Sequence, residues 1–235
     1  PAVTYGGKKL VKNTDYTVSY SKNTAIGQAS VKITGKGLYK GTKTVNFNIR
    51  PATVTKLKVS STGEKSVKLS WKKITGADSY AIYRYDNTSK KWHRIKTVKA
   101  VSFTDSGLAR AKGYSYKVKA VKKSGGKEYI SASYSKAVEA VTKPAKASCT
   151  AKSSGSGSIE VSWKAVGGAS GYEIYSSSNG SDYVKSAKVG GSQKSAIVSG
   201  FEPYSLRMVK VRAYKTVNGK TSYGAFSQAV MVIVK

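Results

Sequence analysis

A fifteen-residue segment occurs twice in this chain, first as LSWKKITGADSYAIY and again 92 residues later as VSWKAVGGASGYEIY. Three shorter pairs of segments repeat at an offset of 92 or 93 residues: SGL and SGF, KVKA and KVRA, and YSKAV and FSQAV. Self-similarity at a fixed period indicates homologous structural units. Because Pro51 and Pro144 stand at equivalent places, we expect a middle module at residues 51–143 and a last module at residues 144–235.

Apolar and polar residues alternate within both modules. In SVKLSWK, the residues Val67, Leu69 and Trp71 are separated by Lys and Ser, and YSYKVKAV shows the same period. A period of two is typical of strands with one buried face. No segment keeps a helical period, and turn segments such as KSGGKE and VNGKTS lie between the strands. The sequence therefore predicts an all-β chain of tandem antiparallel β-sandwiches, arranged like beads on a string.

The order of the aromatic residues resembles that of fibronectin type III modules. The pattern is a Trp on the second strand, Tyr-x-Ile-Tyr on the third, and a Leu six residues before Tyr114. The resemblance implies that Tyr114 forms a tyrosine corner and that the structural core contains Trp71, Tyr80, Ile82, Tyr114, Trp163, Tyr172 and Ile174. The last module departs from this pattern, because Arg207 stands where its corner tyrosine is expected.

Residues 1–50 differ from both modules. The segments DYTVSY and GKGLYKGT resemble Ig-like repeats of secreted and wall-associated proteins from clostridia-type Gram-positive bacteria. Such repeats usually have another strand before this point, so we expect residues 1–50 to be a truncated bacterial Ig-like repeat. The resemblance implies an extracellular or cell-surface location.

Few residues of this chain are suited to catalysis or metal binding. A single Cys149 excludes an intrachain disulfide, and one His and one Cys cannot form a zinc cluster. His93 lies among basic residues with no acid near it in sequence, and Asp78, Asp86 and Asp105 stand in turn-like contexts. We therefore predict no enzyme activity, no catalytic or metal site and no cofactor. Cys149 is either a buried, inert thiol or an exposed thiol that forms dimers. No apolar run is long enough to span a membrane.

The chain is strongly basic, with 42 Lys and Arg against 11 Asp and Glu. The excess is spread over the whole length: 9 basic residues against 1 acidic in residues 1–50, 21 against 6 in the middle module, and 12 against 4 in the last. Such a surface attracts polyanions through counterion release. Nucleic acid is not the expected partner, because no single element concentrates the charge. The anionic polymers of a bacterial cell wall are the expected partner, because they can bind a charge that is spread over the whole chain.

Strand parity predicts one possible binding face in each module. If Tyr80 and Ile82 point inward, the side chains that point outward include Tyr83, Tyr85, Lys117, Lys119, Tyr175, Lys210 and Arg212. Trp92, a large aromatic residue in the basic segment KKWHRIK, adds to the face of the middle module. One interpretation is cross-strand packing of Lys stems on aromatic rings. The other is a platform for a host protein or glycoprotein, such as an immunoglobulin or a mucin, since Tyr, Trp and Arg dominate binding energy at interfaces.

Three functions are consistent with these features. The first is a non-catalytic accessory or spacer region of a secreted or cell-surface protein, with electrostatic affinity for anionic envelope polymers. The second is a specific adhesin that uses the Tyr/Lys faces. The third is an accessory region of a secreted enzyme whose catalytic domain lies outside this sequence. We expect the chain to be monomeric.

Overall fold

The computed structural model describes all 235 residues and contains only strands, turns and loops. No helix in it is long and apolar enough to cross a membrane. Residues 1–50 contain the strands β1 (Thr4–Tyr5), β2 (Lys8–Lys9), β3 (Tyr16–Ser21), β4 (Gly27–Gly35) and β5 (Thr42–Ile49). The all-β class predicted from the alternation is confirmed.

The two repeated modules each contain eight strands. Those of the middle module are β6 (Lys58–Thr62), β7 (Ser66–Ser70), β8 (Ser79–Asp86), β9 (Lys91–Val98), β10 (Ser102–Ser106), β11 (Gly113–Ser124), β12 (Lys127–Ile130) and β13 (Val138–Val141). Those of the last module are β14 (Thr150–Gly155), β15 (Ser158–Ser162), β16 (Gly171–Ser177), β17 (Val184–Gly190), β18 (Ser195–Ser199), β19 (Leu206–Val217), β20 (Lys220–Tyr223) and β21 (Val230–Ile233).

Both modules have the same strand order, as the sequence repeat requires. The middle module has a three-stranded sheet, β10-β7-β6, and a second sheet, β12-β11-β8-β9, in which β13 also pairs with β11. The last module has β14-β15-β18 and β17-β16-β19-β20, with β21 paired to β19. The ladders are antiparallel. This arrangement confirms the predicted class of tandem antiparallel sandwiches.

The chain forms two compact units, one of residues 1–57, 71–101 and 117–137, the other of residues 58–70, 102–116 and 138–235. No hydrogen-bonded sheet includes strands from both sides of residue 51 or of residue 144. The two units nevertheless share the middle module between them. The division at residues 51 and 144 therefore stays a prediction.

The core of the last module lies around Trp163. Its other buried members are Ala147, Ile159, Val161, Tyr172, Ile174, Val198, Val209, Val211, Ala213 and Val234. The rings of Trp163 and Tyr172 lie 5.1 Å apart between their centroids. Both polar ends are hydrogen-bonded, because Trp163 Nε1 donates to the Gln193 carbonyl (3.1 Å) and the Tyr172 hydroxyl accepts from the Val166 amide (2.7 Å). Full burial of these rings is thus compatible with their polar atoms.

The corresponding aromatic residues of the middle module are buried in the same way. Trp71, Tyr80 and Ile82 are at most 6% exposed, and the rings of Trp71 and Tyr80 lie 5.4 Å apart. The Tyr80 hydroxyl accepts a hydrogen bond from the Ile74 amide at 2.8 Å, as Tyr172 does from Val166. Trp71 differs from Trp163 in one respect, because its buried Nε1 has no hydrogen-bond partner.

Tyr114 lies less deeply than a core residue. It is half-buried at the start of β11, and its hydroxyl accepts a hydrogen bond from the Ala109 amide at 2.9 Å. This bond to the backbone five residues upstream is the geometry of a tyrosine corner. The fully buried tyrosine of β11 is Tyr116, whose hydroxyl donates to Asp105 Oδ2 at 2.8 Å. Tyr114 sits outside the core because its hydroxyl must reach the loop before the strand.

The tyrosine corner gives a first prediction. Tyr114→Phe removes the bond to the Ala109 amide and leaves the ring in place, so we expect a loss of about 1 kcal/mol in the free energy of unfolding. Chemical denaturation of the two proteins measures this difference. Tyr129→Phe, on β12, is the matched control, since no corner bond is lost there. An equal loss in both variants would contradict a role for the corner.

Residues 1–50 form a hairpin of β1 and β2 and a three-stranded sheet, β3-β4-β5. Leu10, Tyr16, Ala29 and Val31 are buried within this part. Strand β5 is exposed along nearly its whole length, with Phe47 36% exposed. The Ig-like assignment of residues 1–50 and its truncation stay predictions.

Candidate binding faces

The predicted outward residues of the middle module lie together on the sheet of β8, β9 and β11. Lys117 Nζ lies 4.4 Å from the centroid of the Trp92 ring and 5.4 Å from that of Tyr134. Lys119 Nζ lies 4.2 Å from the Tyr134 ring centroid. The Tyr83 ring meets the Tyr134 ring edge-on at 5.0 Å. We call this set, with Tyr85, which packs on Trp92, the middle cation–aromatic face.

Partial burial changes the acid–base behaviour of this face. Burial raises the pKa of Tyr83 above 10.0, and the neighbouring Tyr134 adds to the effect. Burial lowers the pKa of Lys119 below 10.5, and repulsion from Arg50 contributes to it. Lys119 Nζ also donates to the Ala132 carbonyl at 3.0 Å. The Lys119 ammonium group therefore lies against the Tyr134 ring and a backbone carbonyl of the same module.

The last module has an equivalent face on β16 and β19. Lys210 Nζ lies 3.5 Å from the Tyr183 ring centroid and 4.5 Å from that of Phe226. The Arg212 guanidinium carbon lies 4.1 Å from the Tyr223 centroid, 4.8 Å from Phe226 and 5.1 Å from Tyr175. Cations and rings thus alternate across the sheet, and cation–π attraction holds them together. We call these six residues the last cation–aromatic face.

Glu173 is not among the predicted face residues, yet it lies at the centre of the last face. Its side chain is only 2% exposed. Arg212 Nε and Nη2 donate to Glu173 Oε2 at 2.9 and 2.7 Å, and Lys185 Nζ donates to Oε1 at 3.3 Å. Burial alone would raise the pKa of Glu173, but the hydrogen bonds from Arg212 and Lys185 outweigh it and hold the pKa below 4.5. Glu173 is therefore ionised at neutral pH.

One difference between the two faces lies at the position of Glu173. Ala81 stands in the middle module where Glu173 stands in the last, at the offset of 92 residues. The alternation of side chains along β8 places Ala81 on the outward side with Tyr83, yet Ala81 has no exposed surface. Strand parity predicts the side of the sheet to which a side chain points, but it does not show whether other residues cover a small side chain there. The middle face thus has cations and rings, whereas the last face also holds a buried carboxylate.

All eight predicted face residues are half-buried, and six make the ring contacts with cations described above. These contacts agree with the first interpretation, in which Lys and Arg side chains pack on aromatic rings across the strands. The use of either face as a binding platform stays a prediction. One signal in the sequence could have located Glu173: it is an acid at an outward position between two buried residues, directly across the sheet from Arg212.

A Ser, a His and an Asp come together around the turn between β8 and β9, but they do not form a catalytic triad. Ser89 Oγ donates to Asp86 Oδ2 at 2.7 Å and lies 2.9 Å from His93 Nε2. The single hydroxyl proton is therefore committed to the carboxylate, and His93 cannot accept it as a base. No acid lies near His93 in sequence, but the fold brings Asp86 Oδ2 to 3.9 Å from His93 Nε2.

Asp86 shapes its turn, as the sequence predicted. Its carboxylate accepts hydrogen bonds from the side chain of Ser89 and the amide of Thr88, and these bonds lower its pKa below 3.8. Asp78 lies in a loop and has a lowered pKa because Lys122 Nζ and the Lys123 amide donate to it. Asp105 was wrongly placed in a turn.

Asp105 and Cys149 both have partners inside the protein. Asp105 is 7% exposed on β10 and accepts a hydrogen bond from the Tyr116 hydroxyl. Cys149 is half-buried, with its Sγ 3.1 Å from Ser227 Oγ. No group of three or more His, Cys, Asp and Glu residues is placed to hold a metal ion. These side chains are explained by local structure.

No family model matches the chain. A poly(3-hydroxybutyrate) depolymerase of Ralstonia pickettii is 42% identical to it over 97 residues. The matched segment is 41% of this chain and 18% of the depolymerase, so it corresponds to less than a fifth of that protein.

Two solved structures from chicken are similar to the chain. The FN1–FN3 domains of CNTN1 are 17% identical, with a TM-score of 0.41 over 88% of this chain and 77% of the other. A two-domain fibronectin type III segment of tenascin is 19% identical, with a TM-score of 0.44 over 80% of this chain and 99% of the other.

Proposed function

We propose that this chain is a non-catalytic accessory region of a protein exported from a bacterial cell. It would separate other domains and attach to anionic polymers of the envelope by charge. The observation that carries the proposal is the surplus of basic over acidic residues, which is spread over all three parts of a tandem β-sandwich array.

The surplus cannot be neutralised within the chain. Even if each of the 11 acidic residues paired with one basic residue, 31 of the 42 Lys and Arg would remain. A protein with so much charge of one sign accumulates polyanions without a shaped pocket. Affinity of this kind comes from many weak contacts and falls steeply with salt. Outside a Gram-positive cell, wall teichoic acids are the polyanions that such a surface would meet.

The adhesin alternative gains no support from the contacts of the two faces. Lys117, Lys119, Lys210 and Arg212 already lie against aromatic rings of their own modules. A host protein that used these cations would have to displace contacts within the chain. The charge-based proposal needs no such rearrangement, because it draws on lysines over the whole surface.

A second candidate is favoured by the depolymerase match. The chain would then be an accessory region of a secreted polymer-degrading enzyme, with the catalytic domain elsewhere in the protein. A match to a depolymerase over 97 residues supports this idea. It is compatible with the first candidate, since a spacer can belong to an enzyme.

Co-sedimentation tests whether the chain attaches to anionic wall polymer or to the polymer that such an enzyme would degrade. We expect the chain to pellet with purified Gram-positive walls at low salt, and to stay in solution when teichoic acid has been removed from the walls. Granules of poly(3-hydroxybutyrate), which carry no phosphate, are the matched surface and should not retain the chain. Retention by the granules, with no dependence on teichoic acid, would overturn the wall proposal in favour of the polymer-degrading one.

A further inference from the structure

Consecutive parts of the chain meet through one repeated arrangement. Where residues 1–50 meet the middle module, Ile26 and Gly27 lie at the start of β4. A Cβ built on Gly76 would lie 2.9 Å from Ile26 Cδ1, and one on Gly27 would lie 3.4 Å from Ser124 Oγ. Gly76 belongs to the loop before β8, and Ser124 is the last residue of β11, next to the turn into β12. A loop and a hairpin therefore cover the start of a strand.

The same two elements recur where the middle module meets the last. A Cβ built on Gly168, in the loop before β16, would lie 3.1 Å from Ala111 Cβ. One built on Gly113 would lie 2.8 Å from Val217 Cγ1, at the turn between β19 and β20. Gly168 is the repeat equivalent of Gly76, and Val217 that of Ser124. We call these paired elements the loop-and-hairpin end of a module.

Strand β13 forms the rest of the covered surface on the middle module. Asn218 Nδ2 donates to Glu139 Oε1 at 3.3 Å, and Lys220 Nζ donates to the Glu139 carbonyl at 3.1 Å. Val141, two residues along the same strand, is 5% exposed. The middle module thus receives the next module on Ala111, Gly113, Glu139 and Val141, which we call its receiving surface.

The equivalent residues of the last module are large, apolar and uncovered. At offsets of 93 and 92 residues they are Tyr204, Leu206, Met231 and Ile233. Their exposures are 86%, 42%, 66% and 64%, whereas Ala111 and Val141 are each 5% exposed. Leu206 pairs with Ile233 across β19 and β21, so their side chains share one face. Contiguous exposed apolar residues of this kind mark interaction sites.

We propose that Tyr204, Leu206, Met231 and Ile233 form a receiving surface for the loop-and-hairpin end of a further β-sandwich module, joined in tandem as the parts of this chain are joined. Leu206 replaces Gly113, so the hairpin that docks must have a small tip. The tip Ser124-Gly125-Gly126 of the middle module has that shape, whereas Val217 would collide with Leu206. A second copy of the chain is not the occupant, because both of its loop-and-hairpin ends are already covered.

A fusion protein tests the proposal. Residues 51–143 are appended after Lys235, and oxidation of Met231 by hydrogen peroxide is followed by mass spectrometry in the fused chain and in the chain alone. Because oxidation follows exposure of the sulfur, we expect Met231 to react about fivefold more slowly in the fusion. Met208, which is half-buried and lies directly across the sheet from Met231, is followed in the same spectra. Ser124→Arg in the appended copy alone should restore fast oxidation.

Two outcomes would overturn the proposal. One is equal oxidation of Met231 in both proteins when calorimetry shows that the appended module is folded. The other is slow oxidation in the unfused chain together with a dimer in sedimentation, which would mean that a second copy covers the surface. If the first fusion does not fold, residues 144–235 with Val217→Gly and Met231→Leu serve as the appended module and give the same readout.

Discussion

Replacing Trp163 with alanine should lower the free energy of unfolding of the last module by about 3–5 kcal/mol, because the cavity that remains adds to the lost burial. Trp163 is 6% exposed and lies in the core with Tyr172 and Ile174. For a module of this size, such a loss lowers the melting temperature by about 15 °C or more. Scanning calorimetry measures the shift.

The matched control for this prediction is Trp71→Ala, which removes the equivalent side chain of the middle module. If the modules at 51–143 and 144–235 unfold separately, each variant should lower the melting temperature of the module that carries the substitution. The melting temperature of the other module should stay nearly unchanged. A single transition that both variants shift equally would contradict the predicted division, because the middle and last modules would then unfold together. The two variants therefore test the domain boundaries as well as the core.

Substituting methionine for Arg212 should cost about 3 kcal/mol at neutral pH, since it removes the main partner of a buried carboxylate. Glu173, 2% exposed, would keep Lys185 as its only cationic partner, with the Tyr175 hydroxyl as a further donor at 3.2 Å. The matched control is Lys210→Met on the same strand. This variant loses contacts with Tyr183 and Phe226 but leaves no carboxylate without its partner. The free energy of unfolding should therefore fall by about 1 kcal/mol.

The pH dependence of Arg212→Met distinguishes charge from packing. In the wild-type chain, the lowered pKa of Glu173 gives stability that is complete above the ordinary value of 4.5 and is lost as pH falls through the lower folded pKa. In the variant, burial dominates and the folded pKa rises above 4.5, so protonation becomes favourable to folding. The stability difference between the two proteins should therefore narrow from pH 7 to pH 4. A difference that is constant over this range would indicate lost packing only.

The strands and the inward aromatic residues could be predicted because the repeat and the period of two constrain every position of a module at once. The environment of single residues could not. Tyr114 and Tyr116 have the same parity, and only the folded chain shows that Tyr116 is buried against Asp105 while Tyr114 caps a loop. Parity likewise places Ala81 and Glu173 outward, although both are covered in the structure.

The candidate faces were only partly foreseeable for a related reason. The proximity of Tyr175, Lys210 and Arg212 could be predicted, because these residues lie on neighbouring strands. Tyr183 and Phe226 come from a loop and from the segment between β20 and β21, so their approach to Lys210 depends on loop geometry. The role of Glu173 depends on three-dimensional pairing with Lys185, which lies on an edge strand.

The measurement that tests the central claim most directly is the Kd of the chain for purified wall teichoic acid at 50 and 200 mM salt. If charge alone drives attachment, the affinity should fall by about a hundredfold or more over this range, as binding through several phosphate contacts does. Tyr83→Ala and Tyr175→Ala should leave the Kd unchanged. An affinity that persists at 200 mM salt and is lost on either tyrosine substitution would contradict the account and establish a specific binding face instead.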